Sequence, residues 1–363
     1  MTEQPPAEPK HQNAPPEGAF RRRFPTHGIA LTGILIIVGL LASELLVRLV
    51  DDRLPEQLQW HAWEAQHKVD QMDALRRANH GARIVMVGTS AMHFGFDPRS
   101  FDAELGGGRI AYNAALPGGV PPITELWASK VVLPRLHPKV LVVSVNSADL
   151  NDNGTSQKSF YDFFLTSPAA RHLTGTETWL QRINRRLASW SDVWRFRWII
   201  RRPYDLIRAL RGEKIPTPGE PVGVDGVGLS RLTAHVVATP QRINGFIRRR
   251  RTNWLKNYAV GGTESGALLR LVREARAQGI AVVLVEMPVT QAYVDAHPHG
   301  QADIDAFHRT IDGIVSQTGA VYVDASRVAP SYDLFADFVH LNAKGSKVFS
   351  TFLADKLRQL GLA

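Results

Sequence analysis

Arg83-Ile84-Val85-Met86-Val87-Gly88-Thr89-Ser90 is an apolar, largely β-branched run that closes on a glycine and two hydroxyl residues. A short continuous apolar run bounded by a turn signal reads as a strand buried on both faces, and such strands belong to parallel sheets covered by helices. In open α/β sheets ligand sites lie off the carboxyl ends of the strands, so Ser90 stands where chemistry is expected. Taken alone, the same residues also fit a plain turn into a helix, with Thr89 or Ser90 as its N-cap.

The other end of the chain separates these readings. Asp337-Phe338-Val339-His340-Leu341-Asn342 precedes a segment from Ala343 to Leu360 with helical apolar spacing at Val348, Phe349, Phe352, Leu353 and Leu357. A nucleophilic serine needs a base to take its proton, and the imidazole that does so needs a carboxylate to fix its tautomer. Asp-x-x-His offers both from one turn. Asp333 lies close by as a minor rival to Asp337, and His93 follows Ser90 so closely that it reads as a wall residue rather than the base.

With these residues the chain resembles the SGNH, or GDSL-like, hydrolase superfamily of serine esterases and acyltransferases. The matching blocks are Gly88-Thr89-Ser90, then Asn113-Ala114-Ala115-Leu116-Pro117-Gly118, and last Asp337 to His340. The resemblance implies a flavodoxin-like three-layer α/β sandwich with a parallel sheet. It also implies Ser90 as nucleophile, His340 as base, Asp337 as its orienting partner, and the backbone N–H groups of Ser90 and Gly118 facing a developing oxyanion. The third family block departs from the pattern. After Val140-Leu141-Val142-Val143-Ser144-Val145, the family glycine falls on Asn146 and the oxyanion-donating asparagine falls on Ala148. Losing one such donor costs on the order of a hundredfold or more in rate. Asn146, Ser147 or Asn151 replaces it, or the enzyme is slow, or the fold has ceased to catalyse; Asn146 completes the expected oxyanion hole with Ser90 and Gly118.

The 363 residues suffice for one large domain or two modest ones, and there is no cysteine, which excludes disulfides and thiolate chemistry. Residues 1–27 open with a Pro-, Glu-, Gln- and Ala-rich stretch and read as a disordered tail on the cytoplasmic side. Residues 28–50 are apolar over a length that spans a bilayer, broken only by Glu44 and Arg48, which are spaced to pair on one helix face. Arg21, Arg22 and Arg23 precede the span and a mixed Asp51-Asp52-Arg53 follows it. That bias predicts a single-pass anchor with a cytoplasmic amino end and an extracytoplasmic main domain. A cleavable signal peptide is the competing reading, disfavoured by the poor cleavage site at Leu40-Leu41-Ala42, and a buried amphipathic helix is a third.

Residues 54–363 are expected to form the α/β domain, with a mostly helical insertion over 154–260. That insertion holds nineteen Lys or Arg against seven Asp or Glu, a net +12, while the whole chain is +9 and the remainder therefore −3. Trp179, Trp190, Trp194, Trp198 and Trp254 are interleaved with arginines, and Arg248 to Arg251 follow. Nucleic acid is an expected non-partner, since no matching motif accompanies the charge. A membrane surface, a glycan or anionic polymer, and a simple lid whose tryptophans pack inward all fit. Glycine and proline between Ile215 and Gly228 mark an exposed loop.

The chain before and after the insertion alternates helix and strand. A helix is expected over Leu54 to His80, a short strand at Ile110–Asn113 and a helix opened by Pro121 and Pro122. Further on come a helix at Leu268–Gln278, a strand at Ile280–Met287, a helix at Gln301–Thr318 and a last strand at Ala320–Val323 ended by Asp324, which reads as an acidic cap. His297 and His299 flank Pro298 in what reads as a surface turn rather than a metal site. Neither a phosphate-cradling loop nor a dinucleotide fingerprint is present, and a serine acyl-transfer mechanism needs no cofactor, so none is expected.

The anchor and the basic, aromatic insertion resemble those relatives that modify acyl groups on envelope glycans or polymers, often beside a multi-pass membrane acyltransferase. The expected activity is therefore an anchored esterase or O-acyltransferase, with the bilayer and an acylated envelope polymer as partners. The alternative is a non-catalytic scaffold of the same fold in an envelope polysaccharide complex, for which Ala148 is the argument and the joint presence of Ser90, Asp337 and His340 the counter-argument.

Overall fold

The computed structural model describes residues 26–78, 81–108, 110–154, 161–213 and 236–363. In order, the elements are α1 (Thr26–Arg48), α2 (Trp63–Arg77), β1 (Ile84–Val87), α3 (Ser90–Gly95), α4 (Pro98–Glu104), β2 (Ala111–Asn113) and α5 (Pro121–Trp127). They continue as α6 (Leu133–Leu136), β3 (Val140–Val145), α7 (Pro168–Leu173), α8 (Trp179–Trp190), α9 (Asp192–Arg195), α10 (Arg197–Ile200) and α11 (Pro203–Leu210). The last are α12 (Pro240–Asn253), α13 (Thr263–Ala277), β4 (Ala281–Glu286), α14 (Gln291–Asp295), α15 (Gln301–Thr318), β5 (Val321–Asp324) and α16 (Ala343–Gln359). The expected tail falls almost entirely, and the loop from Ile215 to Gly228 wholly, outside the described residues.

Chain contacts divide the protein into two units, one made of the stretch up to Glu56 with Arg185–Ile215, the other of Gln57–Asn184 with Pro216–Ala363. The second unit is built on five parallel strands in the order β2-β1-β3-β4-β5. Successive side chains of a strand point to opposite faces, and each face here buries its own core. Val85, Val87, Leu141, Val143, Val282 and Leu284 pack with Trp127, Leu271 and Phe307 on one side. Ile84, Met86, Val140, Val142, Val283 and Val285 pack with Phe101, Phe349 and Leu353 on the other. Strands buried on both faces account for the unbroken apolar runs in the sequence, and the result is the three-layer α/β sandwich with a doubly wound parallel sheet.

The strand order reverses at β1, which has β2 on one side and β3 on the other. The crevice off the carboxyl ends of β1 and β3 is therefore the switch point where such sheets bind ligands. Gly88 follows β1 at φ +134°, and a β-carbon there would come 1.9 Å from Ser144 Oγ on β3. The close approach of these two strand ends thus requires glycine.

The helix expected from Leu54 begins only at Trp63. Pro55 lacks an N–H and biases its predecessor to extended backbone, and Leu54 sits at φ −88°, ψ 128°. The helix at 301–318 has the bounds expected for it, and α13 starts five residues earlier than its apolar spacing shows, at Thr263.

In the first unit, α1 contains the stretch Ala30–Arg48, 19 residues that are long and apolar enough to cross a membrane. At about 1.5 Å per residue this is about 28 Å. The anticipated pair forms, with Arg48 3.4 Å from Glu44. Glu44 also accepts from the Ser191 hydroxyl (2.8 Å) and from the backbone N–H groups of Asp192 (2.7 Å) and Val193 (3.3 Å). Val47 and Leu54 pack with Phe196, Ile199 and Ala209 beside it. The tryptophans of the insertion do not share one fate. Arg197 stacks on Trp194 at 4.8 Å and Trp254 is half-buried against the α/β core, whereas Trp179 and Trp190 are exposed.

Candidate active site

Ser90 is the first residue of α3, and Thr89 caps that helix by accepting from the Ala91 N–H at 3.4 Å. Thr89 in turn donates its hydroxyl to the buried Asp149 at 3.4 Å, which ties the Ser90 turn to the loop after β3. Ser90 therefore stands at the switch point with its side chain half-exposed.

The Asp337–His340 turn is organised by its own aspartate. Asp337 Oδ1 accepts from the N–H groups of Val339 (2.9 Å) and His340 (2.8 Å), a local hydrogen-bond pattern that aspartate favours in turns. Asp337 Oδ2 is left for His340 Nδ1 at 2.7 Å, and His340 Nε2 lies 2.8 Å from Ser90 Oγ. Asn342 holds the turn in place: its side chain caps α16 through Lys344 and Gly345 and donates to the carbonyls of Val236, Asp333 and Phe335. Asp333 contributes its backbone carbonyl there, while Asp337 supplies the carboxylate on His340.

Burial alone would push the Asp337 carboxyl up. The His340 charge and hydrogen bond, with the two backbone N–H groups, outweigh it and hold the group at about 2. It is an anion throughout the neutral range. In the neutral imidazole, Nδ1–H donating to this anion leaves the Nε2 lone pair facing the serine hydroxyl.

The cleft at Ser90 is lined by Thr89, Asn146, Ala148, Trp254, Tyr293 and His340 among others. Asn146 Oδ1 accepts from Met287 N–H at 3.2 Å, so its amide nitrogen is directed the other way. Among the described residues that nitrogen and the Ser90 N–H have no hydrogen-bond partner. At position 148 the backbone N–H donates to the Tyr293 hydroxyl at 2.9 Å. The Gly118 turn lies against the end of β1: the Leu116 N–H donates to the Gly88 carbonyl, and a β-carbon on Gly119 would come 2.6 Å from that oxygen. Gly119 spends its own N–H on Leu116, while that of Gly118 makes no bond among the described residues.

His93 is buried, as a wall residue should be, and donates through Nδ1 to the Ala115 carbonyl at 3.1 Å. Burial and the charge of Lys68 hold its pKa well below the ordinary range, so it is neutral. Its neighbour Phe94 packs edge-on against His340 with centroids 5.4 Å apart. Lys68 is itself buried, donates to the Asn113 carbonyl, and is pushed down to about 7 by desolvation against a weaker opposing pull from Glu64.

The reading of His297 as part of a surface turn is corrected. His297 is 2 % exposed, donates through Nδ1 to the Tyr293 carbonyl (3.0 Å) and accepts from the Ser147 hydroxyl at Nε2 (2.8 Å), while Ser147 also meets the Tyr293 hydroxyl at 2.9 Å. This polar network braces the loop after β3 under the cleft. Its members lie about 150 residues apart and only the pairing of β3 with β4 brings them together, so no local motif signals it. Asp324 accepts from the Ser326 N–H, the acidic cap expected of it. Among the described residues no group of three or more His, Asp or Glu could hold a metal.

No protein-family model matches this chain, and no curated protein does. Solved structures similar to it are GDSL-like lipases, acylhydrolases and esterases. They include a GDSL-like lipase from Bacteroides thetaiotaomicron, 10% identical, covering 82% of this chain and 98% of its own, with a TM-score of 0.39. An esterase from Pseudoalteromonas sp. is 10% identical, with coverage of 77% and 98% and a TM-score of 0.33. An acetylxylan esterase catalytic mutant from Geobacillus stearothermophilus is 12% identical, with coverage of 77% and 95% and a TM-score of 0.36.

Proposed function

We propose that this chain is a membrane-anchored serine enzyme of the SGNH type that acts on acyl esters, with Ser90, His340 and Asp337 as its catalytic triad. The observation that carries the reading is the continuous Asp337–His340–Ser90 hydrogen-bond chain at 2.7 and 2.8 Å, set at the sheet's switch point. In the first step His340 Nε2 takes the Ser90 proton as Oγ bonds to the ester carbonyl carbon. The carbonyl oxygen becomes an oxyanion facing the Ser90 and Gly118 N–H groups and the free Asn146 amide, which supplies the donor missing at Ala148. The tetrahedral intermediate collapses, the C–O bond to the leaving alcohol breaks, and His340 returns the proton to that alcohol. Water or an acceptor hydroxyl then gives its proton to His340 as its oxygen bonds to the acyl carbon, and when the bond from that carbon to Ser90 Oγ breaks His340 returns the proton to Oγ.

Water as acceptor makes an esterase and a sugar hydroxyl makes an O-acyltransferase. The helix α1 supports placement at the membrane, and an acylated envelope glycan or polymer, with a multi-pass acyltransferase alongside, is the substrate and partner setting that suits an anchored enzyme of this kind. The main domain then lies on the extracytoplasmic side. One observation favours the scaffold alternative, the alanine at 148 in the donor position, and the same experiment separates the two. Full-length protein is treated with a fluorophosphonate, and wild type is compared with Ser90→Ala and His340→Ala. The reading requires a covalent label that both variants lose; a folded wild-type protein that takes no label overturns it.

A further inference from the structure

Helix α8 (Trp179–Trp190) inverts the usual arrangement of an amphipathic helix. At about 100° per residue, Trp179, Trp190, Ile183, Leu187 and Leu180 fall within one arc of roughly 100°, with Arg186 flanking its edge, Arg182 further round on the same side and Arg185 nearly opposite. In a globular protein the apolar arc faces the core. Here no residue of the helix is buried, and the five apolar side chains are 39–81% exposed, with Trp190 the most exposed. The half-buried positions are Gln181, Asn184 and Ala188, so the helix rests on a polar and small-residue strip and turns its apolar stripe outward. A contiguous apolar patch kept exposed at this cost marks an interaction surface.

Three observations say what covers it. Trp190 is followed directly by Ser191, whose hydroxyl and following N–H groups are bound by Glu44, one turn from the end of the span-length helix α1. The carboxyl end of α8 is thus fastened where α1 would leave the bilayer. The apolar stripe ends in tryptophan on both sides, the residue that settles at the headgroup level. Finally the segment is cationic: α8 has no acidic residue, and residues 185–213 carry eight arginines against three acids. In α11, Tyr204 and Ile207, one turn apart, are also exposed, at 75% and 50%.

The geometry points to α8 as an interfacial helix that lies in the anionic headgroup layer of the leaflet at the carboxyl end of α1, its apolar stripe in the acyl boundary and its arginines on lipid phosphates. This rests on the anchor reading for α1. It assigns the α8 portion of the basic, aromatic insertion to lipid rather than to a glycan or to a lid.

Because the chain has no cysteine, single cysteines report single sites. Full-length protein carrying Trp190→Cys, Ile183→Cys, Arg185→Cys or, within α1, Ile37→Cys is labelled with an environment-sensitive fluorophore and reconstituted in phosphatidylcholine vesicles with or without phosphatidylglycerol. The expected result is blue-shifted emission at 183 and 190 that shallow spin-labelled lipid quenches, and aqueous emission at 185. Combined Arg182→Gln, Arg185→Gln and Arg186→Gln should weaken the quenching at 190 only where phosphatidylglycerol is present. Aqueous emission at 183 and 190 overturns the proposal. So does blue-shifted emission there that lipid does not quench, which would place a protein partner or a second copy on the stripe. Position 37 is read separately: absence of deep-lipid quenching there refutes the anchor, whatever α8 does.

Discussion

Replacing Asp337 by Asn tests the triad through its tautomer rather than by deletion. Asp337 Oδ1 accepts two backbone N–H groups, so an asparagine must keep its carbonyl oxygen at that site and turn its amide nitrogen toward His340 Nδ1, where Oδ2 now lies at 2.7 Å. Nδ1 then has to accept, the ring proton moves to Nε2, and Nε2–H faces Ser90 Oγ with no lone pair to take its proton. Such a swap costs on the order of 10⁴ in rate with the geometry intact. Stability should change in step. The Asp337 carboxyl is held at about 2 against an ordinary 3.8, which corresponds to about 2 kcal/mol of native-state stabilisation by the ionised form. The native pKa is depressed, so this contribution is complete above about pH 5 and is lost as pH falls toward about 2. Rates of fluorophosphonate labelling measure the first effect and denaturant unfolding between neutral and acid pH the second. A variant that labels at the wild-type rate would refute the tautomer argument, and a stability gap that widens on acidification would refute the charge argument.

Asn146→Ala should slow ester turnover or labelling by about 10²–10³ if its free amide is an oxyanion donor, and should also lower stability by about 1–3 kcal/mol because the buried Met287 N–H loses its side-chain acceptor; turnover of the folded variant with an activated acetyl ester reads the first effect, and an unaffected rate would assign the role elsewhere. Gly88→Ala sets a β-carbon against Ser144 at an already positive φ, so it should prevent a stable fold, and Ser144→Gly in the same chain should recover part of it, both read by circular dichroism. Lys68 has a native pKa near 7 against an ordinary 10.5, so the unfolded chain binds the extra proton between those values and wild-type stability rises with pH across them. Lys68→Met should therefore be stabilising relative to wild type at pH 6 and lose that advantage by pH 10, as thermal unfolding at both values would show.

Much of this protein is legible one stretch at a time. The apolar runs of β1, β3 and β4, the proline-opened α5 and the Asp337–His340 turn depend on local pattern, because strand burial and turn hydrogen bonds involve residues close in sequence. Ser90, His340 and Asp337 could be put forward as candidates because two of them share that turn, the third follows a strand, and together the blocks resemble the SGNH superfamily. What lies between those stretches was decided by tertiary packing. Whether Asn146 faces the cleft depends on Met287, one strand away, taking its carbonyl oxygen, and His297 is buried because pairing of β3 with β4 carries it beneath the loop after β3. Helix α8 gives the sharpest contrast. Its amphipathic spacing is written in the sequence, but spacing alone assigns the apolar arc to a core, since burial is where such an arc ordinarily gains free energy. Only the folded chain, resting that helix on Gln181, Asn184 and Ala188, turns the arc outward.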